Sequence, residues 1–382
     1  MHIILGISGS IAAYKTPDLV RLFKRAGVQV TPVLTDNAQE FVAPLSLETV
    51  AEVPVHSAGI QHLSHRQADA LVIAPATANV IAKIAAGIGD DLLTTTVLSF
   101  TGPKLIVPAM HDEMWHNPIT QRNVQTLRSF GFHFLGPDYG DLACGERGQG
   151  RMVDAGLIVL RTLILAFPEL DLSGHRILIT SGGTREALDP VRVLTNLSTG
   201  QLGETLAHCA ASFGAEVTLI STGSPVLCNP ALQRVLRVSS VADLQVALMA
   251  HFPDCDTLIM AAAVSDFTVQ ASDTKLSRDQ AQTLTLIPTP DLLKSLIPHK
   301  KQQQTIGFCL ADPELLLETA AQKLKDKQLD AIIANPPASI GSPHRDATIL
   351  TASGNRMDLT GVSILRLAYE ILQLISVKGA PL

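Results

Sequence analysis

The sequence predicts an α/β protein built from two doubly wound parallel-sheet domains in tandem. Three observations lead there. Short β-branched apolar runs alternate with amphipathic stretches along the 382 residues, as expected for parallel strands buried beneath helices on both faces. A strand, a Gly/Ser loop, a helix, a glycine stop and a second strand occur in that order twice. The first copy runs from Ile3-Ile4-Leu5-Gly6-Ile7-Ser8-Gly9-Ser10 to Gly27 and Val30, the second from Ile177-Leu178-Ile179-Thr180-Ser181-Gly182-Gly183-Thr184 to Gly214 and Val217. With 46% hydrophobic and 17% charged residues, the chain also has the apolar material for two large cores.

In order, the strands expected in the first half are Ile3–Gly6, Gln29–Leu34, Ala70–Ala74 and Lys104–Val107. In the second half they are Arg176–Thr180, Glu216–Ile220, Thr257–Ala261, Gln304–Phe308 and Asp330–Ala334. Each run is bounded by Gly, Ser, Pro or Asn, as buried parallel strands usually are. A turn-rich stretch from Phe167-Pro168 to Ser173-Gly174 separates a helix from a new strand. It places one domain at residues 1–170 and another at 171–382, each of flavodoxin-like or Rossmann-like form.

Composition narrows the partners. The net charge is −6 and aromatic residues make up 4%. Neither a basic stripe for phosphate backbones nor a stacking platform for bases is supplied, so nucleic acid is not expected. No apolar run approaches the ~20 residues that span a bilayer, and the first residues are too short and uncharged for a signal peptide. Cys144, Cys209, Cys228, Cys255 and Cys309 are scattered and odd in number, which favours a reducing cytoplasm over a disulfide framework.

Several loops carry chemistry. Gly6-Ile7-Ser8-Gly9-Ser10 lies between a strand and a helix beginning near Ile11, where glycines and free N–H groups suit a phosphate or simply a tight turn. Gly9 to Thr16 nearly spells a nucleotide phosphate loop, but Tyr14 occupies the second glycine position, which excludes an NTPase reading. Ala74-Pro75-Ala76-Thr77-Ala78-Asn79, Gly89-Asp90-Asp91-Leu92-Leu93-Thr94 and Pro108-Ala109-Met110-His111 follow at further loops. All of these belong to one edge of a parallel sheet, where ligand sites of such folds assemble. Beyond them stands Ala143-Cys144-Gly145-Glu146-Arg147-Gly148-Gln149-Gly150-Arg151, a lone cysteine in a glycine-rich flap. In the second half, Thr180-Ser181-Gly182-Gly183-Thr184-Arg185 runs through Asp189-Pro190-Val191-Arg192 to Asn196-Leu197-Ser198-Thr199-Gly200. An acid, Asp266, ends the strand at Ala261-Ala262-Ala263-Val264-Ser265. Lys323 and Lys327 are i,i+4 on an expected helix and share a face suited to a phosphate or to water.

In this order, the two sets of motifs resemble those of the bifunctional phosphopantothenoylcysteine decarboxylase/phosphopantothenate–cysteine ligases of coenzyme A biosynthesis, over nearly the whole chain. For the first half the resemblance implies FMN as cofactor, with Ser8 and Ser10 holding its phosphate and Thr35, Asn79 and Thr94 lining the flavin. His62 matches the active-site histidine, with His65 an alternative because the segment from His62 to Ala74 is one residue short. Cys144 matches the cysteine of the lid, which helps return a proton after CO₂ has left, and the Gly145/Gly148/Gly150 flap would be mobile. His111, at the substrate-binding position, replaces the family's usual Asn. For the second half it implies CTP as co-substrate and Mg²⁺, with an acyl-cytidylate that the amine of cysteine opens. Asp266, Lys275, Pro290, Asp291, Leu292, Leu293, Phe308, Lys323 and Lys327 match nucleotide-site positions, Lys275 counting among the catalytic residues. Asn196 matches the asparagine that converts the intermediate.

Departures cluster in this half. The lysine-rich signature reads Lys275-Leu276-Ser277-Arg278, the usual Gly-Phe-Ala-Ala-Glu-Thr reads Gly307-Phe308-Cys309-Leu310-Ala311-Asp312, Pro336 follows Asn335 in place of Asp, and Gln201 replaces a lysine. The resemblance gives no metal ligands. It implies small-molecule substrates (4′-phosphopantothenate, cysteine and CTP) and a homo-oligomer, a dodecamer built through the decarboxylase half. Two other readings stay open. One half could be an inactive scaffold, or the chain a non-catalytic regulatory flavoprotein.

Overall fold

The computed structural model describes residues 1–56, 68–223, 232, 234–278, 281, 283–342 and 344–375. The chain divides into two compact units, one spanning Met1–Pro168 and the other beginning at Glu169.

In the first unit, β1 (His2–Ile7), α1 (Thr16–Arg25), β2 (Gln29–Leu34), α2 (Pro44–Ala51), β3 (Ala70–Ala76), α3 (Ala78–Ala85), α4 (Leu92–Ser99) and β4 (Lys104–Pro108) follow one another. Then come α5 (Asp112–His116), α6 (Pro118–Ser129), β5 (His133–Phe134), the hairpin β6 (Asp138–Asp141) and β7 (Arg147–Arg151), and α7 (Ala155–Ile164). The strands form one sheet in the order β2-β1-β3-β4-β5, parallel throughout. Strand side chains alternate between its two faces. Ile3, Leu5, Ile7, Val72 and Val107 meet Leu19, Phe23, Leu47 and Ile158 of α1, α2 and α7. Ile4, Leu71, Ile73 and Ile106 meet Ile81, Leu93, Val97 and Leu127 of α3, α4 and α6. The runs are continuously apolar because both faces are covered. Phe23 is fully buried, a burial that stabilises by roughly 2–3 kcal/mol.

The second unit comprises β8 (Arg176–Ser181), β9 (Arg185–Ala187), β10 (Val193–Thr195), α8 (Gln201–Ser212), β11 (Glu216–Ser221), β12 (Arg234–Arg237), α9 (Val241–His251) and β13 (Thr257–Met260). It continues with β14 (Phe267–Thr268), β15 (Ile287–Pro288), α10 (Leu292–Leu296), β16 (Gln304–Leu310), α11 (Leu316–Asp326), β17 (Ala331–Asn335), β18 (His344–Thr351), β19 (Arg356–Ser363) and α12 (Ile364–Gln373). Its sheet runs β12-β11-β8-β13-β16-β17-β18-β19. The first six of these strands are parallel, in the dinucleotide-fold order, but β18 and β19 pair antiparallel. The doubly wound parallel sheet expected from the sequence is present, and these two strands extend it at one edge. A single tight turn at Ser353-Gly354, with Gly354 at φ +90, joins β18 to β19 where no crossover helix is available, so only an antiparallel pair can form. Two antiparallel ribbons, β9–β10 and β14–β15, were also not expected from hydrophobic period, being too short to show one.

At the amino ends of β8 and β13, Arg176 donates from its backbone N (2.9 Å), Nε (3.2 Å) and Nη2 (3.0 Å) to the carboxylate of Asp256. This fork holds the Asp256 pKa down at about 2. A depressed carboxylate pKa contributes stability above the unfolded value, near 3.9, and loses it as pH falls through the folded value. Asp256→Asn is therefore expected to lower the melting temperature at neutral pH, with the gap from wild type closing between about pH 4 and pH 2. Thermal unfolding across that range checks it, and a pH-independent gap would refute the linkage.

Candidate functional site

In the first unit the strand order reverses between β1 and β3, the place where doubly wound folds of order 2-1-3-4-5 bind a ligand. Ser8–Ser10 follow β1, Thr35 follows β2, Asn79 lies on the first turn of α3 after β3, and His111 follows β4. Topology thus sets these residues at the carboxyl edge of one sheet. Ser8 is fully buried; its hydroxyl donates to the Pro75 carbonyl (2.8 Å) and accepts from Thr77 N (2.9 Å). It ties the ends of β1 and β3 together, so the hydroxyl expected to hold a phosphate is already engaged. Ser10 begins the 3₁₀ turn Ile11–Lys15 and accepts from Ala12 N at a slack 3.4 Å, which leaves its oxygen available. The Thr35 hydroxyl makes no capping bond. Thr94 is buried in a capping box with Asp91 at the start of α4, so its side chain serves the helix end. Asn79 is exposed. His62 and its alternative His65 lie outside the described residues.

A cavity of about 340 Å³ opens at this edge, lined among others by Ser10, Lys15, His111, Cys144, Arg151 and Met152. Ser10, His111 and Cys144 are brought together; Thr35, Asn79 and Thr94 are not part of this lining. Lys15, Arg151 and His111 outnumber the one acid of the lining, Asp141, and give the wall a cationic excess suited to an anionic substrate. Glu113 binds Nδ1 of His111 and raises its pKa, so the imidazolium form is favoured. Cys144 sits exposed at the hairpin tip, its Sγ 3.9 Å from a carboxylate oxygen of Glu146. Lys15, Arg151, Glu113 and Glu146 carry no separate signal in the sequence; their roles follow from convergence in space.

The glycines of the flap divide into two kinds. Gly145 has φ +88 with open space around it, and it makes the turn that only glycine adopts readily. Gly148 and Gly150 are strand residues pressed against the loop after β4. A Cβ at Gly148 would lie 2.7 Å from Cβ of Asp112, and one at Gly150 would collide with the carbonyl oxygen of Met110. Met110 N donates to Gly150 O (3.0 Å) and Gln149 N to Asp112 Oδ1 (2.6 Å), clamping the hairpin over His111.

In the second unit the reversal lies between β8 and β13. Loops from both strands interlock there. Thr180 Oγ1 accepts from Ala262 N (3.0 Å), Thr184 Oγ1 from Ser265 N (2.9 Å), and Ser181 Oγ donates to Gly200 O (2.8 Å). Asn196 donates its amide to the carbonyls of Ala263 (3.3 Å) and Val264 (3.0 Å). Asp266 is exposed, and its carbonyl accepts from Thr289 N (3.0 Å), which carries the edge on to Pro290 and Asp291. Asp291 caps α10 and pairs with Lys327 at 3.0 Å.

Not every expected residue points to a ligand. Leu292 is 3% exposed and packs in the core with Leu244 and Leu296, which leaves only its backbone for recognition. Leu293 is half-buried between two core clusters. Lys327 caps the end of α11, and its N–H donates to the carbonyl of Lys323 (3.0 Å), so the i,i+4 relation survives while the Lys327 ammonium is drawn to Asp291. Phe308 is half-buried on β16, and Lys275 is exposed. Lys275 belongs to a loop anchored by Asp189, whose carboxylate accepts from the N–H groups of Val191 (2.8 Å), Arg192 (2.8 Å) and Leu276 (3.1 Å). Arg192 returns a bond from Nη2 to Leu276 O (3.2 Å). The Asp-Pro-Val-Arg string was visible in the sequence; its attachment to the Lys275 loop, 84 residues away, was not. A second cavity, of about 360 Å³, lies at the amino ends of β8 and β11, at the opposite edge from these loops. Among the described residues no helix is long and apolar enough to cross a membrane.

Comparison with known proteins agrees in both units. Residues 1–164 match the Flavoprotein family and residues 172–378 match the DNA/pantothenate metabolism flavoprotein C-terminal domain. The coenzyme A biosynthesis bifunctional protein CoaBC of Bacillus subtilis is 38% identical, the alignment covering 97% of this chain and 96% of that protein. Its counterpart in Mycolicibacterium smegmatis is 36% identical over 98% and 97%, and that of Escherichia coli K12 is 37% identical over 87% and 85%. Among solved structures, the C-terminal domain of a CoaBC protein aligns at 34% identity over 53% of this chain and 94% of that one, with a TM-score of 0.45. The DNA/pantothenate metabolism flavoprotein from Streptococcus pneumoniae aligns at 27% over 52% and 97%, with a TM-score of 0.48. With two thirds and more of the chain matched at this identity, the protein belongs to the bifunctional CoaBC family of coenzyme A biosynthesis.

Proposed function

We propose that the second unit joins cysteine to 4′-phosphopantothenate at the expense of CTP, and that the first decarboxylates the product to 4′-phosphopantetheine with FMN. The observation that carries this reading is the near-full-length family match, in which a flavoprotein half precedes a pantothenate-metabolism half. The cationic cavity holding Ser10, His111 and Cys144 supports it.

The first unit fits FMN at its β1/β3 reversal. A Cβ at Gly9 would collide with Asn37, so the loop after β1 packs closely on the one after β2, and the hydroxyls of Ser10 and Thr35 face no competing strong bond. When bound there, the flavin supplies two-electron oxidation and re-reduction of the sulfur-bearing end of the substrate. The protein does the rest. Lys15 and Arg151 attract the anionic substrate, and the imidazolium of His111 binds a carboxylate or amide oxygen. The Cys144 thiol, at the tip of the clamped hairpin, donates its proton to carbon after CO₂ departs. Glu146, beside Cys144, can pass a proton back to the sulfur.

In the second unit, an oxygen of the substrate carboxylate attacks the α-phosphorus of CTP and pyrophosphate leaves. The amine of cysteine then attacks the acyl carbon and CMP departs. Lys275 and Lys323 would balance the developing phosphate charge, with Asn196 orienting the acyl group from its seat on the Ala263 and Val264 carbonyls. Mg²⁺ enters with the nucleotide phosphates, and the exposed carboxylate of Asp266 lies at the edge that would receive it. Both reactions belong to the cytoplasm, in a homo-oligomer.

Mass spectrometry after incubation with 4′-phosphopantothenate, cysteine, CTP and Mg²⁺ tests the whole reading. Phosphopantetheine is expected. Accumulated cysteine adduct would count against the decarboxylase half, and unchanged 4′-phosphopantothenate against the ligase half.

A further inference from the structure

We propose that the tip of the β6–β7 hairpin and the loop after β4 together form a binding site for one divalent cation of the zinc class, with His111, Cys144 and Glu146 as its protein ligands. One ligand atom from each lies within 4.8 Å of the others. Cys144 Sγ stands 3.9 Å and His111 Nε2 4.0 Å from the same carboxylate oxygen of Glu146. Tetrahedral zinc, with bonds of about 2.0–2.3 Å, sets its ligand atoms about 3.3–3.6 Å apart. The two edges that meet at Glu146 are therefore within roughly half an ångström of the zinc spacing, and the third, between Cys144 Sγ and the His111 ring, is no longer than 4.8 Å.

Three further features favour zinc over other ions. A thiolate, an imidazole and a carboxylate form a mixed soft and hard set, whereas magnesium and calcium take oxygen alone. Nδ1 of His111 is bonded to the Glu113 carboxylate. That outer carboxylate fixes the ring so that Nε2 faces Glu146, the arrangement that orients histidine ligands in metal sites. The two segments are also held together without any metal, by the Met110–Gly150 and Asp112–Gln149 bonds, so little ordering remains to be done when the ion arrives. Two of the three ligands, His111 and Cys144, line the cavity, and the fourth position would be taken by water or by a donor atom of a ligand.

Binding would release two protons to solvent, one from the Cys144 thiol and one from Nε2 of the His111 imidazolium, and would hold Cys144 as thiolate. If Cys144 is the proton donor proposed above, zinc then switches the first unit off. That consequence rests on the proposed function; the site does not.

The test uses the full-length, reduced, metal-free protein titrated with ZnCl₂ against a chromophoric chelator. In parallel, iodoacetamide labelling of Cys144 is read by peptide mass spectrometry. About one equivalent of zinc is expected to bind and to shield Cys144 from alkylation. Cys144→Ser and His111→Asn should abolish that equivalent, and Glu113→Gln should weaken it about 10- to 100-fold. Zinc stoichiometry unchanged in Cys144→Ser, or wild-type Cys144 alkylated at the same rate with and without zinc, would overturn the site. Zinc bound with an undiminished decarboxylation rate would uphold the site and count against the donor role of Cys144.

Discussion

Replacing Gly150 by alanine is expected to cut decarboxylation by about 100-fold while ligation in the same preparation continues at the wild-type rate. The added Cβ would collide with the Met110 carbonyl oxygen and lie 3.2 Å from the carbonyl carbon of His111. Both are backbone atoms, so no rotamer change can clear them. The hairpin must lift, breaking the bond from Met110 N to Gly150 O and drawing Cys144 away from His111. A misplacement of about 1 Å in a reacting group is worth roughly two orders of magnitude. Separate assays, one starting from the cysteine adduct and one from 4′-phosphopantothenate, distinguish the two halves. Gly145→Ala is the informative control. Its site is open but has φ +88, so alanine there incurs about 1–2 kcal/mol of backbone strain without driving the hairpin from its seat. Equal losses in the two variants, or none in Gly150→Ala, would show that close approach is not what seats the flap.

Asp189→Ala should disable the ligase half through the loop that carries Lys275. The substitution leaves the N–H groups of Val191, Arg192 and Leu276 without their acceptor and removes the partner of the Arg192 guanidinium, 3.2 Å away. Asp189 is the buried carboxylate on which these bonds converge, and each hydrogen bond to a charged group contributes about 1.5–3 kcal/mol, so the Lys275 loop is expected to detach from the β9–β10 ribbon. Ligation kcat/KM should then fall by about 100-fold, chiefly through a higher KM for CTP, with decarboxylation of supplied cysteine adduct unaffected. Steady-state kinetics with varied CTP check this, and Lys275→Gln should give a loss of the same kind. An unchanged KM for CTP in both would separate Lys275 from the nucleotide.

The same carboxylate carries a pH consequence. Burial alone would raise its pKa, but the Val191, Leu276 and Arg192 N–H bonds and the Arg192 charge outweigh it and hold the value below the ordinary range. The stability it contributes is thus present above the unfolded carboxylate pKa and lost as pH falls through the folded one. The ligase half should fail in acid as this group protonates.

The sequence by itself determined the strands and their order of appearance. Continuous apolar runs such as Ala70–Ala76 and Ala331–Asn335 can be satisfied only beneath two layers of helix, so local pattern and global fold say the same thing. It also placed Ser10, His111 and Asn196 at strand-end loops, because in a parallel sheet every such loop falls on one edge. What it could not supply was anything that depends on a side chain's partner across a long span of chain. The Ser8 hydroxyl looked free for a phosphate, yet it locks β1 to Pro75 and Thr77. Leu292 sat inside a nucleotide motif, yet its side chain belongs to the core. Gly148 and Gly150 stood out only as glycines of a flap, and their close approach to Asp112 and Met110 shows only in the fold. Antiparallel β18–β19, the Asp189–Leu276 anchor and the meeting of His111 with Cys144 and Glu146 were likewise decided only in three dimensions. Hydrophobic period records which face of an element is buried, while hydrogen bonds and ligand sets are fixed by distances of a few ångströms that only the folded chain defines.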